Sequence, residues 1–268
     1  MEHLLGEGWT VLPAGGATGE AYFAKQGEQT VFLKRNSSPF LAVLSAEGIV
    51  PKLLWTKRLE NGDVITAQRW VHGRELKAHE MREKRVAALL AKIHQSNELL
   101  EMFLRIGNEP LTPAAIVADL YEQFKRFRHP NPTLESALAY LKAKVADVTH
   151  DEMTVCHCDI NHNNWIVDEN GQLYLIDWDG ATISDPALDL GVLLYTYVPE
   201  EDWKEWLHHY GIELEPSLRE RMDWYVLSQI VSAILSHDRR HEAEQVKKLE
   251  SELRAFLRKI KSSPINDR

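Results

Sequence analysis

Residues 155–180 read VCHCDINHNNWIVDENGQLYLIDWDG and place cysteine, histidine, aspartate and asparagine side chains within a few positions of one another. Three interpretations are open for such a stretch: a cluster of metal ligands, a polar turn, or an active site. They differ in which side chains the backbone must bring together.

A zinc site would need four thiolate or imidazole ligands around one ion. Cys156, His157 and Cys158 are consecutive on a strand-like segment, where neighbouring side chains alternate between the two faces. They therefore do not converge on one tetrahedral ion, and the chain has no second pair of cysteines. We interpret Cys156 as a small core residue.

A β-hairpin explains the second half of the stretch. The segments WIV and LYLI are strand-like, and the Asn-Gly pair between them is a strong turn signal. The residue before the first strand, Asn164, should then meet the residue after the second, Asp177. An amide oxygen beside a carboxylate suits Mg²⁺, which takes one or two protein ligands together with phosphate oxygens. Asp159 lies in the loop before the hairpin, where a carboxylate can accept a proton from a hydroxyl.

Composition narrows the class of protein. The 268 residues, 44% of them hydrophobic, suffice for one large domain or two small lobes. No apolar run approaches the ~18 residues of a membrane span, and the segment MEHLLGEGWT lacks the features of a secretory signal. The net charge of -9 argues against a nucleic-acid binder, whose footprint is basic. Two cysteines this close in sequence exclude a disulfide framework, and a cytoplasmic location fits best.

The character of the sequence changes once along the chain. Residues from about 9 to about 71 are β-rich, whereas apolar residues recur at helical spacing from Leu76 onwards. Two long helical segments follow the hairpin, at residues 217–235 and 242–260. We expect residues 1–72 to form a small N-terminal lobe and residues 73–268 a helical C-terminal lobe that contains the hairpin.

Three motifs in this chain resemble those of a known family. They are H-x-D-x-x-x-x-N at residues 157–164, IDWD at residues 176–179 and D-P-x-x-D-L at residues 185–190. In this order and spacing they are similar to the catalytic segment of the aminoglycoside phosphotransferase and choline kinase family, which resembles that of kinases. The resemblance implies an α+β, protein-kinase-like fold of two lobes. A small antiparallel β-sheet lobe would bind the nucleotide, and a mainly helical lobe would contain the catalytic loop and the acceptor site.

The resemblance also implies roles for single residues. Asp159 resembles the catalytic aspartate that orients and deprotonates the acceptor hydroxyl. Asn164 and Asp177 resemble the ligands of Mg²⁺. His157 resembles the histidine that braces the catalytic loop.

Three further carboxylates have two interpretations each. Asp185 and Asp189 belong to the D-P-x-x-D-L motif, and we favour helix capping and loop bracing for both. Asp179 either assists the metal site or is a turn residue beside Gly180, and the second interpretation is the more ordinary one.

In the N-terminal lobe, Lys34 ends the strand TVFLKR and resembles the lysine that contacts the α- and β-phosphates of the nucleotide. The alternative is an exposed lysine at a strand end. The segment LPAGGATGEAYFAK resembles the phosphate loop, in which three glycines would let backbone N–H groups approach phosphate: Gly15, Gly16 and Gly19. The segment TAQRWVHG resembles the hinge that meets adenine through backbone hydrogen bonds, at Gln68, Trp70 and Val71.

One departure from the kinase pattern concerns the partner of the strand lysine. Kinases pair this lysine with a glutamate from the next helix. The helical part of the following segment, at about residues 39–46, has no acid in its middle, and Glu47 stands at its end. Either Glu47 reaches Lys34 or the lysine lacks this partner.

These features predict a phosphotransferase that uses ATP and Mg²⁺ and moves the γ-phosphate to a hydroxyl of a small molecule. A protein kinase is the first alternative, but only five residues separate Asp179 from Asp185, which leaves no room for an activation segment. A catalytically weak or inactive nucleotide-binding protein is the second. The missing helix glutamate favours it, and the intact Asp159, Asn164 and Asp177 argue against it.

The acceptor is expected to be a cationic alcohol such as choline, ethanolamine, thiamine or an aminosugar. Acidic residues follow the D-P-x-x-D-L motif at Glu200, Glu201 and Asp202. Aromatic residues accompany them: Tyr195, Tyr197, Trp203, Trp206, Trp224 and Tyr225. Carboxylates attract amines, and aromatic faces attract quaternary ammonium groups by ~0.5–2 kcal/mol. The alternative is that the acids cap a helix and the aromatics fill the core.

The last predicted helix carries an apolar stripe of Val246, Leu249, Leu253, Phe256, Leu257 and Ile260. Such a stripe packs either against a second copy of the chain or against its own lobe. We favour the second and predict a monomer.

Overall fold

The structure is a computed structural model that describes residues 5, 7–15, 21–127 and 131–262. Two compact units make up the chain. The first contains Met1–Glu80, Ser96–Ile106 and Asn161–Asp179, and the second contains Met81–Gln95, Gly107–Ile160 and Gly180–Arg268. The lobe boundary between residues 72 and 73 stays a prediction.

Ten strands and nine α-helices are formed within the described residues. The strands are β1 (Thr10–Gly15), β2 (Ala21–Gln26), β3 (Gln29–Arg35), β4 (Leu53–Arg58), β5 (Val64–Arg69), β6 (Gly73–Glu75), β7 (Thr154–Cys156), β8 (Trp165–Asp168), β9 (Leu173–Leu175) and β10 (Thr182–Ser184). The helices are α1 (Phe40–Ala46), α2 (Lys84–His94), α3 (Asn97–Arg105), α4 (Pro113–Phe124), α5 (Pro132–Ala143), α6 (Ala187–Tyr197), α7 (Trp203–Tyr210), α8 (Pro216–Arg239) and α9 (Ala243–Lys261).

The first unit is built on a five-stranded antiparallel sheet with the strand order β1-β2-β3-β5-β4. Alternation of buried and accessible residues along β3 sends Val31 and Leu33 into the core. They pack with three further buried residues from the neighbouring strands, Ala24, Ile65 and Ala67. The turn between β2 and β3 contains Gly27 at a φ of 58°, the left-handed conformation that favours glycine.

The same unit contains the predicted hairpin. Strands β8 and β9 pair antiparallel, and β6 joins them to make a three-stranded sheet of order β6-β8-β9. The inward side chains of β8, Trp165 and Val167, are buried. The hairpin that its strand-like segments and Asn-Gly turn predicted is therefore present, and its inward residues pack into the core.

The second unit is mainly helical. Helix α8 spans 24 residues and packs against α6 and α9. Gly191 of α6 makes the first of these contacts possible, because a Cβ atom there would lie 3.0 Å from the carbonyl oxygen of Met222. Two short strands, β7 and β10, pair antiparallel and hold the segment that leads into residues 157–160.

The apolar stripe of the last predicted helix is directed into the second unit. Leu253, Leu257 and Ile260 are buried, and α9 packs against α8 and α5. The burial supports the interpretation that the stripe belongs to the chain's own core, while the monomeric state stays a prediction. In the part of the chain that the structure describes, no helix has the length and apolar character to cross a membrane.

Candidate active site

The segment that contains Asp159 follows directly from β7 in the second unit. His157 is completely buried, Cys158 has a φ of 67°, and Asp159 is exposed to solvent. The backbone N–H of Asp159 donates to Nδ1 of His157 at 3.3 Å. His157 thus braces the loop on which the exposed carboxylate stands, in the manner predicted for it.

Asp189 holds the same loop from helix α6. Its Oδ2 accepts from the backbone N–H of His157 at 2.7 Å, and its Oδ1 accepts from that of Cys158 at 2.9 Å. Both carboxylate oxygens are therefore used to fix two consecutive peptide groups. Asp185 acts differently, because its Oδ1 accepts from the backbone N–H of Ala187 in the first turn of α6. One carboxylate of the D-P-x-x-D-L motif braces the loop, and the other accepts from the first residue of the helix and pairs with Arg221.

A second layer of hydrogen bonds surrounds Asp189. His94 Nε2 lies 3.2 Å from Asp189 Oδ2, and His94 Nδ1 lies 2.7 Å from the hydroxyl of Tyr210. Burial alone would raise the pKa of Asp189, but the hydrogen bonds from His94 and the backbone outweigh it. The pKa of this carboxyl therefore lies below its ordinary value of 3.8.

Cys156 lies beside this network. One ligand atom each from Cys156, His94 and Asp189 lies within 4.8 Å of the others, which is close enough to consider a metal. Burial raises the pKa of the Cys156 thiol well above its ordinary value, and the thiol donates to the carbonyl oxygen of Asp185 at 3.4 Å. The hydrogen bonds of His94, Cys156 and Asp189 account for the close approach of the three groups.

The hairpin in the first unit carries the two predicted metal ligands at its ends. Trp165 pairs with Leu175, and the backbone N–H of Ile176 donates to the carbonyl oxygen of Asn164 at 2.8 Å. The residue opposite Asn164 is therefore Ile176, so the predicted pairing with Asp177 was one residue out of register. The hydrogen bond between Ile176 and Asn164 extends the hairpin beyond the pair of Trp165 and Leu175. Asp177 follows the hairpin with a φ of 63°.

Asn164 and Asp177 lie at the open end of one hairpin and have an amide oxygen and a carboxylate to offer. These are hard oxygen donors of the kind that Mg²⁺ prefers, and 55% of the Asp177 side chain is exposed to solvent. The donor set fits a magnesium ion that keeps several waters or phosphate oxygens.

Lys34 lies on β3 between Ala21 of β2 and Thr66 of β5. Its Nζ donates to both carboxylate oxygens of Asp179, at 2.7 and 2.8 Å, and lies 3.6 Å from Asp177 Oδ1. The predicted phosphate-binding lysine and a predicted metal ligand are thus close together in the first unit. Asp179 was considered only as a metal or turn residue, and its contact with Lys34 was missed.

Glu47 was the other acid considered as a partner for Lys34. Its Oε1 accepts a hydrogen bond from the Ser96 hydroxyl at 3.1 Å. Among the described residues, the ion pairs of Lys34 are formed with Asp177 and Asp179. The lysine therefore has carboxylate partners, and they come from the segment after the hairpin.

The predicted phosphate loop and hinge are described only in part. Gly15 is the last residue of β1, and Gly16 and Gly19 lie outside the described residues. The side chain of Gln68 is buried and donates to the carbonyl oxygen of Pro51 at 2.9 Å. Two residues further, Trp70 is 37% exposed, and Val71 after it is half-buried. Contacts of this segment with a nucleotide stay a prediction.

Four of the six aromatic residues proposed for a cation-binding surface fill the core instead. Trp203, Trp206, Trp224 and Tyr225 are all buried. The indole N–H groups of the three tryptophans donate to backbone carbonyl oxygens of Val198, Met81 and Leu141, respectively. The prediction that these four side chains face an acceptor is therefore wrong, because their apolar area stabilises the fold.

Glu200 is also engaged within the second unit. Its carboxylate accepts from Arg219 at 2.8 Å and from Lys259 at 2.7 Å, and the Lys259 contact is the main reason that the pKa of Glu200 is lowered. The guanidinium of Arg219 lies 4.4 Å above the ring of Trp203. The chain's own cations thus occupy positions that were predicted for a ligand, while Glu201 and Asp202 remain exposed.

One further residue of the site could have been found from the sequence. Val86, Leu90 and His94 follow one another at four-residue spacing in α2, and the first two are buried. A histidine in register with a buried apolar face indicates a side chain that needs an internal hydrogen-bond partner. Its partner, Asp189, lies 95 positions away, and the sequence alone does not identify it.

The comparisons with known proteins agree with the fold. A sequence model described as the phosphotransferase enzyme family matches residues 9–225. Among solved structures, choline kinase LicA from Streptococcus pneumoniae is similar with a TM-score of 0.69 at 19% identity, over 93% of each chain. A choline/ethanolamine kinase family protein from Mesorhizobium loti has a TM-score of 0.68 at 15% identity, over 95% of this chain and 89% of the other. The GDP and kanamycin complex of APH(2″)-IIIa has a TM-score of 0.70 at 16% identity, over 93% of each chain.

The chain belongs to the phosphotransferase enzyme family, since the family match covers most of its length. The predicted kinase-like α+β fold, with an antiparallel sheet and a mainly helical part, is confirmed. The predicted class of enzyme, a small-molecule phosphotransferase, is confirmed as well.

Proposed function

We propose that the protein transfers the γ-phosphate of ATP to a hydroxyl group of a small molecule. The observation that carries the proposal is the cluster of Lys34 with Asp177 and Asp179 in a chain that belongs to a phosphotransferase family. A cation that can meet phosphates lies beside a carboxylate that can hold a metal, as phosphoryl transfer requires.

Each residue has a defined part in the proposed reaction. Asn164 and Asp177 would hold Mg²⁺, which supplies charge neutralisation for the phosphate oxygens when it is bound. Lys34 would add positive charge to the phosphates. Asp159 would accept the hydrogen bond of the acceptor hydroxyl, orient it towards the phosphorus and take its proton, a contribution of ~10²–10⁴-fold in rate.

Of the alternatives, the inactive nucleotide-binding protein loses its main argument. That argument was the absence of a helix glutamate as a partner for Lys34. Because Lys34 already pairs with Asp177 and Asp179, the missing glutamate is no reason to expect a weak enzyme. The short distance in sequence between Asp179 and Asp185 continues to argue against a protein substrate.

For the acceptor we propose an alcohol that bears an amine, such as choline, ethanolamine, thiamine or an aminosugar. The net charge of -9 and the exposed Glu201 and Asp202 support it, whereas Glu200 and the buried tryptophans do not. The similar structures include a choline kinase and a kanamycin complex, and those acceptors are properties of those proteins.

The proposal is tested by measuring ADP release from ATP and Mg²⁺ by the purified chain, with a panel of amino alcohols, aminoglycosides and neutral sugars. We expect turnover above the acceptor-free rate with at least one amine-bearing alcohol. Efficient phosphorylation of a neutral sugar, without a response to any amine, would contradict the cationic acceptor and leave the phosphotransfer intact. A cytoplasmic location and a monomeric state remain part of this proposal.

A further inference from the structure

We infer that Asp179 positions Lys34 for the nucleotide, in the place that an acid of helix α1 would otherwise take. The inference rests on the proposed function, because it assigns a partner to the proposed phosphate-binding lysine. Asp179 is a positioning residue in this account, since it acts through Lys34.

The contact itself has the geometry of an orienting pair. Nζ of Lys34 lies almost equally far from the two oxygens of Asp179, at 2.7 and 2.8 Å. Only 20% of the Lys34 side chain is exposed, whereas 61% of the Asp179 side chain is exposed. The lysine is thus held along most of its length by the sheet, and the carboxylate fixes the remaining freedom of its end.

Helix α1 contributes to the pair without carrying an acid. Its sequence, FLAVLSA, contains no carboxylate. Phe40 at its start packs edge-on against Trp178, with ring centroids 5.8 Å apart, and against Phe103 at 4.2 Å. The indole N–H of Trp178 donates to the carbonyl oxygen of Leu175 at 2.8 Å. The helix therefore supports the short turn on which Asp179 stands, next to Trp178.

The pair holds the ammonium group of Lys34 closer to Asp179 than to Asp177. Nζ lies 3.6 Å from Asp177 Oδ1, which is longer than its distances to Asp179. Without Asp179 the ammonium group would move to the nearest remaining carboxylate, Asp177, and would compete there with the metal. Asp179 keeps the lysine and the metal ligand available for separate tasks.

The direction in which ATP affinity changes when Asp179 is neutralised distinguishes a positioning role from simple repulsion between two negative charges. ATP is an anion, so removal of a nearby negative charge should by itself tighten ATP binding. The inference predicts the opposite. We expect Asp179→Asn to weaken ATP binding about three- to five-fold in the presence of Mg²⁺, the upper range for an exposed ion pair. Asp179→Ala, which leaves no acceptor oxygen, should weaken it at least as much.

The measurement is isothermal titration calorimetry with ATP and excess Mg²⁺, together with a double-mutant cycle on Lys34. In the Lys34→Met background, Asp179→Asn should no longer weaken binding, because the group that it positions is gone. The control Glu47→Gln, at the end of α1, should leave ATP affinity unchanged. Thermal unfolding of each variant checks that the fold is retained.

Two results would overturn the inference. Unchanged or tighter ATP binding by Asp179→Asn would show that the pair does not serve the nucleotide. An equal weakening with and without Lys34 would show that Asp179 acts by itself, for example as a metal ligand. Both outcomes leave the proposed function standing, whereas failure of the unmodified chain to bind ATP would overturn the proposed function and the inference with it.

Discussion

Two sets of carboxylates in this chain are held in opposite ways. Asp189 is 1% exposed and accepts from two backbone N–H groups and one histidine. Asp177 and Asp179 are more than half exposed and share a single lysine, Lys34. Asp189 belongs to the second unit, whereas Asp177 and Asp179 belong to the first.

Because they differ in burial, Asp189 and the pair Asp177 and Asp179 have different roles. A buried charge is tolerated only when its hydrogen bonds are complete, and it then fixes whatever supplies them. Asp189 therefore determines the backbone of the loop that contains Asp159. An exposed carboxylate keeps its hydration and contributes little to stability, but it remains available to a metal ion or a cation. We expect mutations in the two sets to separate stability from activity.

Asp189→Ala should produce the largest loss of stability. It leaves the N–H groups of His157 and Cys158 and the ring of His94 without their buried acceptor. We expect the free energy of unfolding to fall by about 3–5 kcal/mol, measured by urea denaturation. Asp177→Ala is the matched control from the exposed set and should change it by less than about 0.5 kcal/mol. Equal effects of the two substitutions would remove the distinction between the sets.

Arg219→Ala should have the next largest effect. Only 13% of the Arg219 side chain is exposed, and its guanidinium contacts Glu200, Asp223 and the face of Trp203. Its removal leaves Asp223, whose pKa burial already raises, with less compensation. We expect a loss of about 1–3 kcal/mol by urea denaturation. Arg105→Ala, which breaks an exposed pair, is the control and should stay within about 0.5 kcal/mol.

The pH dependence of stability should identify Asp189 by its sign. A carboxyl with a folded-state pKa below 3.8 contributes stability above that value and loses it as the pH falls through the lowered pKa. The wild-type chain should therefore lose free energy of unfolding below about pH 4, with a slope of at most about 1.4 kcal/mol per pH unit from this group. Asp189→Asn should flatten the curve in this range. A curve of unchanged slope would mean that Asp189 is not the lowered carboxyl.

The burial of the apolar stripe on α9 predicts that the molecular mass in solution does not change with protein concentration. Leu253, Leu257 and Ile260 are already covered by α8 and α5. Light scattering should therefore report the mass of one chain, 30.8 kDa, across a wide range of concentration. A dimer that persists on dilution would show that another surface of the chain associates.

Much of the fold and part of the site could be predicted from the sequence, for local reasons. The hairpin could be predicted because its turn and both strands lie close together in the sequence. The same short segment, residues 155–180, contains Asp159, Asn164 and Asp177. Partners at long sequence separation were not visible. Lys34 and Asp179 are 145 positions apart, and the sequence pattern offered the lysine either Glu47 as a partner or no glutamate partner at all.

The prediction that the four buried aromatic residues face an acceptor was wrong for a different physical reason. Aromatic residues such as Trp203 and Trp206 have both apolar area and a polar N–H group, so their sequence pattern is the same for a core and for a ligand surface. Arg219 decides between the two by stacking on Trp203, and it lies on the next long helix, α8. Composition and charge alone do not show which cation an aromatic face will meet.

The central claim is that Asp159 is the base of a phosphotransferase, and Asp159→Asn tests it most directly. The amide keeps the size of the side chain but does not accept a proton. With the best acceptor from the ADP-release screen, we expect kcat to fall by about 10²–10⁴-fold while the Kd for ATP and the midpoint of thermal unfolding stay unchanged. Turnover at the wild-type rate by this variant would contradict the claim.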